Sequence, residues 1–206
     1  MAVTIPVIIM RDKLLIKKKG KFEYFEFAAQ QSSEIPNVPF YHEFAKNMDD
    51  VISQLKEEIK REYSMLLAKP VLAVVVPDDT SSLELAFIQS FFLNFGKAVA
   101  LTKMSQTLSQ SVSQYISLSK TERSVALQYV NKDEIFAERY YDSTNYDIQI
   151  IKNDIQRLHI DVDYHDVPIY INNLHNDMAD LLELGQPVNA EAFKRRICDI
   201  KIEKNN

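Results

Sequence analysis

The run Val71–Val76, VLAVVV, constrains the fold more than any other part of the chain, because six apolar residues without alternation suit a strand covered on both faces. Such a strand lies in the parallel centre of a sheet and needs helices on either side. Lys69-Pro70 leads into it and Pro77-Asp78-Asp79-Thr80 leaves it as a turn. Asp79 or Ser81 then caps a helix, and Ser81-x-x-Glu84 has the capping-box spacing, in which each side chain satisfies a backbone N–H at the helix start. Leu83, Phe87, Ile88, Phe91, Phe92 and Phe95 form the expected buried face, Gly96 suits the stop, and Ala98–Thr102 is the next strand.

Upstream, Val3–Met10, Lys13–Lys18 and Lys21–Ala28 read as a three-strand meander, the third alternating aromatic and charged residues. The basic run Lys17-Lys18-Lys19-Gly20-Lys21 sits at one of its turns and reads as a solvated hairpin. Beyond the loop QQSSEIPNVP, Phe40, Phe44, Met48, Val51, Ile52, Leu55, Ile59 and Leu66 recur at helical spacing, predicting one long helix over Pro39–Leu67. After Ala98–Thr102, the spacing of Leu108, Val112 and Ile116 predicts a Ser/Gln-rich helix over Met104–Ile116. The first unit thus reads βββαβαβα.

From Glu122 the order restarts in shorter form. RSVALQYV and EIFAERYYD are two strands about a turn, Ile148, Ile151, Ile155 and Leu158 mark a helix, and Val167–Ile171 is a strand. Asp177–Leu184, ended by Gly185, and Ala190–Ile200 are the last helices. The expected division is a first unit over residues 1–119 and a second over 120–206.

Composition narrows the function. A net charge of −5, from 29 acidic against 24 basic side chains, repels a polyanion, so nucleic acid is not expected as a partner. The single cysteine, Cys198, excludes an internal disulfide framework and fits a reducing compartment, with cytoplasm the expected location. The apolar N-terminal run MAVTIPVIIM is too short to cross a bilayer, so no direct membrane insertion is expected.

Two successive βββαβαβα units are the order of the ribonuclease-H-like fold, duplicated in the actin, sugar kinase and Hsp70 superfamily. KPVLAVVVPDDTSSLELAFIQSFFLNFG resembles the segment of rod-shape-determining bacterial actins with the form KP-strand-P-x-x-x-T-x-x-E-helix-G, and Pro77, Ser81, Glu84 and Gly96 fall in register. The resemblance implies an α/β fold of two ribonuclease-H-like lobes, compact and without the subdomains that flank the cleft in larger actins. It also implies where an ATPase would keep its parts. The glycine-bearing phosphate hairpins would fall at Met10-Arg11-Asp12-Lys13-Leu14 and Val130-Asn131-Lys132-Asp133-Glu134, the catalytic Glu-Pro at Met104-Ser105, and the adenosine turn near Ile171-Asn172-Asn173-Leu174. The two hairpins and the adenosine turn lack glycine, no carboxylate stands at Met104-Ser105, and the chain's three glycines, Gly20, Gly96 and Gly185, lie elsewhere.

The remaining sites read as structure. Asp78 and Asp79 have the type of a two-metal carboxylate pair, but capping accounts for the corner, and Val3–Met10 lacks the aspartate that a nuclease of this fold carries in its first strand. His159, Asp161, Asp163, His165 and Asp166 cluster in LHIDVDYHDVP; in an extended segment the odd-numbered members 159, 161, 163 and 165 would share a side that could hold a metal, but the run reads as a polar connection between helix and strand, where Asp and His are common on solvation grounds. Cys198, beside Arg195, Arg196 and Lys201, lacks a base and reads as a buried structural thiol; His42 and His175 suit capping or the surface. We expect no catalytic residue, bound cofactor or metal. The expectation is a non-catalytic cytoplasmic scaffold, resembling the nucleotide-free actin-like platforms of bacterial pilus and secretion machines. The alternative is a metal-dependent nuclease or nucleotide phosphohydrolase. The expected partners are proteins, including a second copy in a homodimer, met at two aromatic edge strands through Tyr24, Phe25, Phe27, Tyr140 and Tyr141.

Overall fold

The structure is a computed structural model that describes residues 3–11, 13–28, 43–63 and 69–198. The chain divides into two compact units, Met1–Thr102 with Cys198–Asn206, and Lys103–Ile197.

The first unit is a five-stranded sheet in the order β3-β2-β1-β4-β5. β1 (Thr4–Ile9), β2 (Leu14–Lys17) and β3 (Tyr24–Phe27) form the antiparallel meander, while β4 (Val71–Val76) runs parallel to β1 and β5 (Ala98–Lys103) closes the far edge. Pro6 is tolerated in a central strand because pairing with β2 begins only at Val7, so its missing N–H removes no bond on that side. β4 buries every residue from Leu72 to Val76, as an unalternating run requires. The basic run turns between β2 and β3: Gly20 adopts φ +68, and Lys18 bonds Glu23 through backbone and side chain.

The expected long helix is broken. A short helix α1 (Glu43–Lys46) and the main helix α2 (Met48–Glu62) meet at Asn47, and α2 buries Val51, Leu55 and Ile59 along one stripe. Asp49 and Asp50 in its first turn and Lys60 and Arg61 in its last complement the helix dipole. Phe40, His42 and Leu66, and the first hairpin's Asp12, lie outside the described residues. α3 (Ser82–Phe92) turns Glu84, Ile88, Phe91 and Phe92 inward. Leu83, expected on that face, is 81% exposed, because closing the capping box rotates its neighbour Glu84 inward. Phe91 is the hub of the core: its ring stacks on Phe44 at 5.2 Å and meets Phe92 edge-on at 5.1 Å. Gly96 serves close approach rather than a left-handed stop, since a Cβ there would stand 3.0 Å from the Pro70 carbonyl oxygen.

The second unit contradicts the expected helix Met104–Ile116. Only Met104–Thr107 is helical, as a single 3₁₀ turn, and Gln114–Lys120 is a strand, β6. With β6 restored, this unit also begins with an antiparallel meander, β6, β7 (Ser124–Asn131) and β8 (Glu134–Asp142). Helices α4 (Ile148–Gln156) and α5 (Ile160–Tyr164) follow, then β9 (Ile169–Asn172) parallel to β6, a 3₁₀ helix at Ala179–Leu184, β10 (Gln186–Val188) and α6 (Ala190–Cys198). The division between units therefore falls at Thr102/Lys103, ahead of the expected 119/120, since β6 belongs to the second sheet.

Read from its meander edge, the second sheet runs β8-β7-β6-β9-β10, the same order as β3-β2-β1-β4-β5. Ile116, Leu118, Val125, Leu127 and Tyr129 on its strands pack with Ile151, Ile155, Leu158 and Leu181 into a second core. The duplication expected from element order is thus present strand for strand.

Candidate functional site

In this topology the first hairpin of each lobe, β1–β2 and β6–β7, is the place where actin-like ATPases hold phosphate, so the backbone there decides what the lobes can bind. The restored β6 moves the second of these from Val130–Glu134 to Lys120–Ser124. Neither hairpin contains glycine. At the second, the Arg123 and Ser124 N–H groups donate to Thr121 Oγ1 at 3.2 and 3.1 Å, and the Thr121 N–H donates to the Ser124 carbonyl at 2.8 Å. The loop is tied again from β8's far end, where the Ser143 N–H donates to the Arg123 carbonyl at 3.2 Å and its hydroxyl to the Glu122 carbonyl at 2.7 Å. Donors that would face a phosphate are spent inside the turn. At β1–β2, the Met10 N–H donates to the Lys13 carbonyl at 2.9 Å. Val130–Glu134 is instead the β7–β8 turn, with Lys132 at φ 48 and Asp133 at φ 63, the two left-handed residues of a tight hairpin.

Met104 and Ser105, at the expected Glu-Pro position, are buried in the 3₁₀ turn. At the end of β9, the Asn173 N–H is shared between the carbonyls of Ile171 and Val188 at 3.0 and 3.1 Å. Asp78 is 1% exposed at the corner, where the Thr80 hydroxyl donates to the Pro77 carbonyl at 2.7 Å. Ser81 is the cap: it accepts from the Glu84 N–H at 3.3 Å, and Glu84 accepts from the Ser81 N–H at 2.8 Å. The stretch from His159 is not extended, so its odd-numbered residues do not share a side. His159 caps α5 by accepting the Asp161 N–H at 3.2 Å and stacks on Tyr129 at 4.5 Å, while the Tyr129 hydroxyl donates to Asp161 at 2.7 Å. Among the described residues no group of three or more His, Cys, Asp or Glu side chains is placed to hold a metal. Cys198 is half-buried rather than buried.

The two aromatic strands expected at edges are edges: β3 ends the first sheet and β8 the second. Their side chains are committed unequally. Phe27 is buried in the first core, Phe25 packs against that core, and half-buried Tyr24 shares a hydrogen bond with Cys198 Sγ at 3.3 Å. Tyr141 packs against the second core and donates to Asp154 at 2.8 Å; burial, then that hydrogen bond, pushes its hydroxyl well above the ordinary tyrosine range. Tyr140 remains 43% exposed.

Tyr140 sits in a network that the sequence does not announce. Its hydroxyl donates to Glu138 at 2.7 Å, and Gln128 Nε2, fully buried on β7, donates to Glu138 at 3.1 Å and to the Tyr140 hydroxyl at 3.3 Å. Lys103 Nζ stands 3.6 Å from Glu138. Burial pushes the Glu138 carboxyl up, but the bonds from Tyr140 and Gln128 and the Lys103 charge outweigh it and hold the group below the usual carboxylate range. Beside the network lies an open depression of about 390 Å³ lined by Lys103, Ile135, Phe136, Ala137 and Glu138. Phe136 is the extra residue of a β-bulge: Tyr129 pairs with Ala137 and Val130 with Ile135, leaving Phe136 between them, 54% exposed. Gln128 inside an otherwise apolar strand, in register with Glu138, was the one signal of this network in the sequence.

No family model matches the sequence, and no curated protein matches it. Solved structures do resemble it. The ethanolamine utilization protein EutJ of Carboxydothermus hydrogenoformans superposes with a TM-score of 0.52 at 10% identity, covering 94% of this chain and 87% of its own. An AlfA filament bound to AMPPNP gives 0.49 at 9% identity, over 100% and 92% of the chains. MreB5 of Spiroplasma citri with AMPPNP gives 0.48 at 9% identity over 76% of this chain, which spans only 56% of the MreB5 chain. At these identities the likeness is one of fold. The chain has an actin-like fold, built of two ribonuclease-H-like lobes with matching five-stranded sheets.

Proposed function

We propose that the chain is a non-catalytic cytoplasmic interaction protein, an actin-like fold used as a scaffold. One observation carries the reading: at the hairpins where this fold cradles phosphate there is no glycine, and Thr121 occupies the Arg123 and Ser124 N–H groups itself. A phosphate would have to displace those bonds and approach a backbone crowded by side chains. What the lobes offer instead is strand edge, with aromatic side chains at β3 and β8. By analogy of fold with nucleotide-free actin-like platforms, its role is to hold a partner protein in a bacterial envelope or secretion assembly. β3 suits self-pairing into a twofold dimer, because a centre at Phe25 sets Phe25 against its copy and Tyr24 against Glu26, with no like charges opposed.

Titration calorimetry with Mg-ATP, with a phosphate-release assay on the same sample, tests the reading. The expected result is neither saturable heat nor release above the buffer blank. Saturable binding at micromolar affinity, or turnover, would overturn it.

A further inference from the structure

We propose that the outer edge of β8 takes a cationic, extended segment of another polypeptide as an added strand; this rests on the interaction reading above and names its partner. β8 is nine residues long, terminates its sheet, and exposes Glu134, Phe136, Glu138, Arg139, Tyr140 and Asp142. An end strand presents backbone donors and acceptors that a further strand can pair.

The charges choose the occupant. Two nearby cations are committed, Lys103 to Glu138 at 3.6 Å and Arg139 to Asp154 at 2.5 Å, and a third, exposed Lys132 in the β7–β8 turn, is offset by exposed Asp133 beside it. Glu134 at one end and Asp142 at the other are exposed carboxylates, and hydrogen bonds from the Thr144 hydroxyl and from the Thr144 and Asn145 N–H groups hold Asp142 below the usual carboxylate range. An incoming strand therefore meets a negative charge at each end and, between them, two exposed aromatic rings, Phe136 and Tyr140.

A second copy of β8 fits poorly. A twofold axis perpendicular to the sheet sets residues equally far from its centre opposite one another. Centred on Glu138, it opposes Glu138 to its copy and Glu134 to Asp142; on Arg139, two guanidinium groups; on Tyr140, Glu138 to Asp142. Centred on Ala137, it carries the Phe136 bulge into both halves of the new ladder. A heterologous strand with cations at its ends meets none of these conflicts.

Hydrogen exchange of the full chain, read by mass spectrometry at low salt, tests this with two capped peptides. Each has eight residues, matching the eight of β7 that already pair with β8, with Val and Thr alternating between Lys ends or between Glu ends. The Lys peptide is expected to slow exchange over Glu134–Asp142 saturably, with the Glu peptide weaker by about tenfold. Glu134→Lys should shift the preference toward the Glu peptide, a rescue that a misfolded variant could not give. Equal protection by both peptides, or none at millimolar concentration, would overturn the cationic partner while leaving the absence of nucleotide binding intact. Protection that grows with protein concentration alone would replace it with a second copy.

Discussion

At the scale of single residues, Ser81 and Glu84 show that the corner after β4 is built to start a helix, since each satisfies a backbone N–H of the other. Replacing Ser81 with Ala is expected to lower stability by about 1 kcal/mol, and replacing both by about 1–2 kcal/mol, measured by urea unfolding. Asp78→Ala should leave partner binding unchanged in the same preparation. Tyr129 carries a second prediction. Burial, reinforced by its hydrogen bond to Asp161, pushes its hydroxyl from 10.0 up to about 12, so the folded state favours the neutral phenol. A raised folded value means that this stabilisation is complete below pH 10 and is lost as pH climbs from about 10 to about 12. Tyr129→Phe should flatten that part of the alkaline unfolding curve, and an unchanged slope would contradict the assignment. The capping box was legible because its spacing is local. The Lys103–Gln128–Glu138–Tyr140 network was not, because its members meet only through strand register and lie up to 37 positions apart.

At the scale of elements, the main misreading has a physical cause. Leu108, Val112 and Ile116 imitate a helical stripe, while Ile116-Ser117-Leu118-Ser119 alternates with period two, and Ile116 serves both patterns. The strand won because Ile116 and Leu118 bury together on the face of the second core, which a Ser-rich helix of weak propensity cannot match. Restoring β6 is what makes the two meanders equivalent and moves the phosphate hairpin to Thr121. β3 is the element proposed for self-association. Sedimentation equilibrium is expected to show a dimer at micromolar concentration, shifted to monomer by Tyr24→Glu, which would set a second carboxylate against Glu26 of the copy, but not by Tyr140→Glu; a strictly monomeric wild-type chain would remove β3 from that role.

At the scale of the whole molecule, two sheets of one order make an actin-like fold, and the β6–β7 hairpin of the second sheet keeps the Arg123 and Ser124 N–H groups in its own hydrogen bonds. The fold was legible because the unbroken run of β4 and the repeated strand–helix order are global patterns that survive where motifs do not. No helix among the described residues is long and apolar enough to cross a membrane. The proposed function requires both hairpins to be closed to phosphate. Amide chemical shifts of Met10, Arg123 and Ser124, followed by NMR while Mg-ATP is added to millimolar concentration, test this most directly: no movement beyond a salt control is expected, and saturable shifts at either hairpin would overturn it.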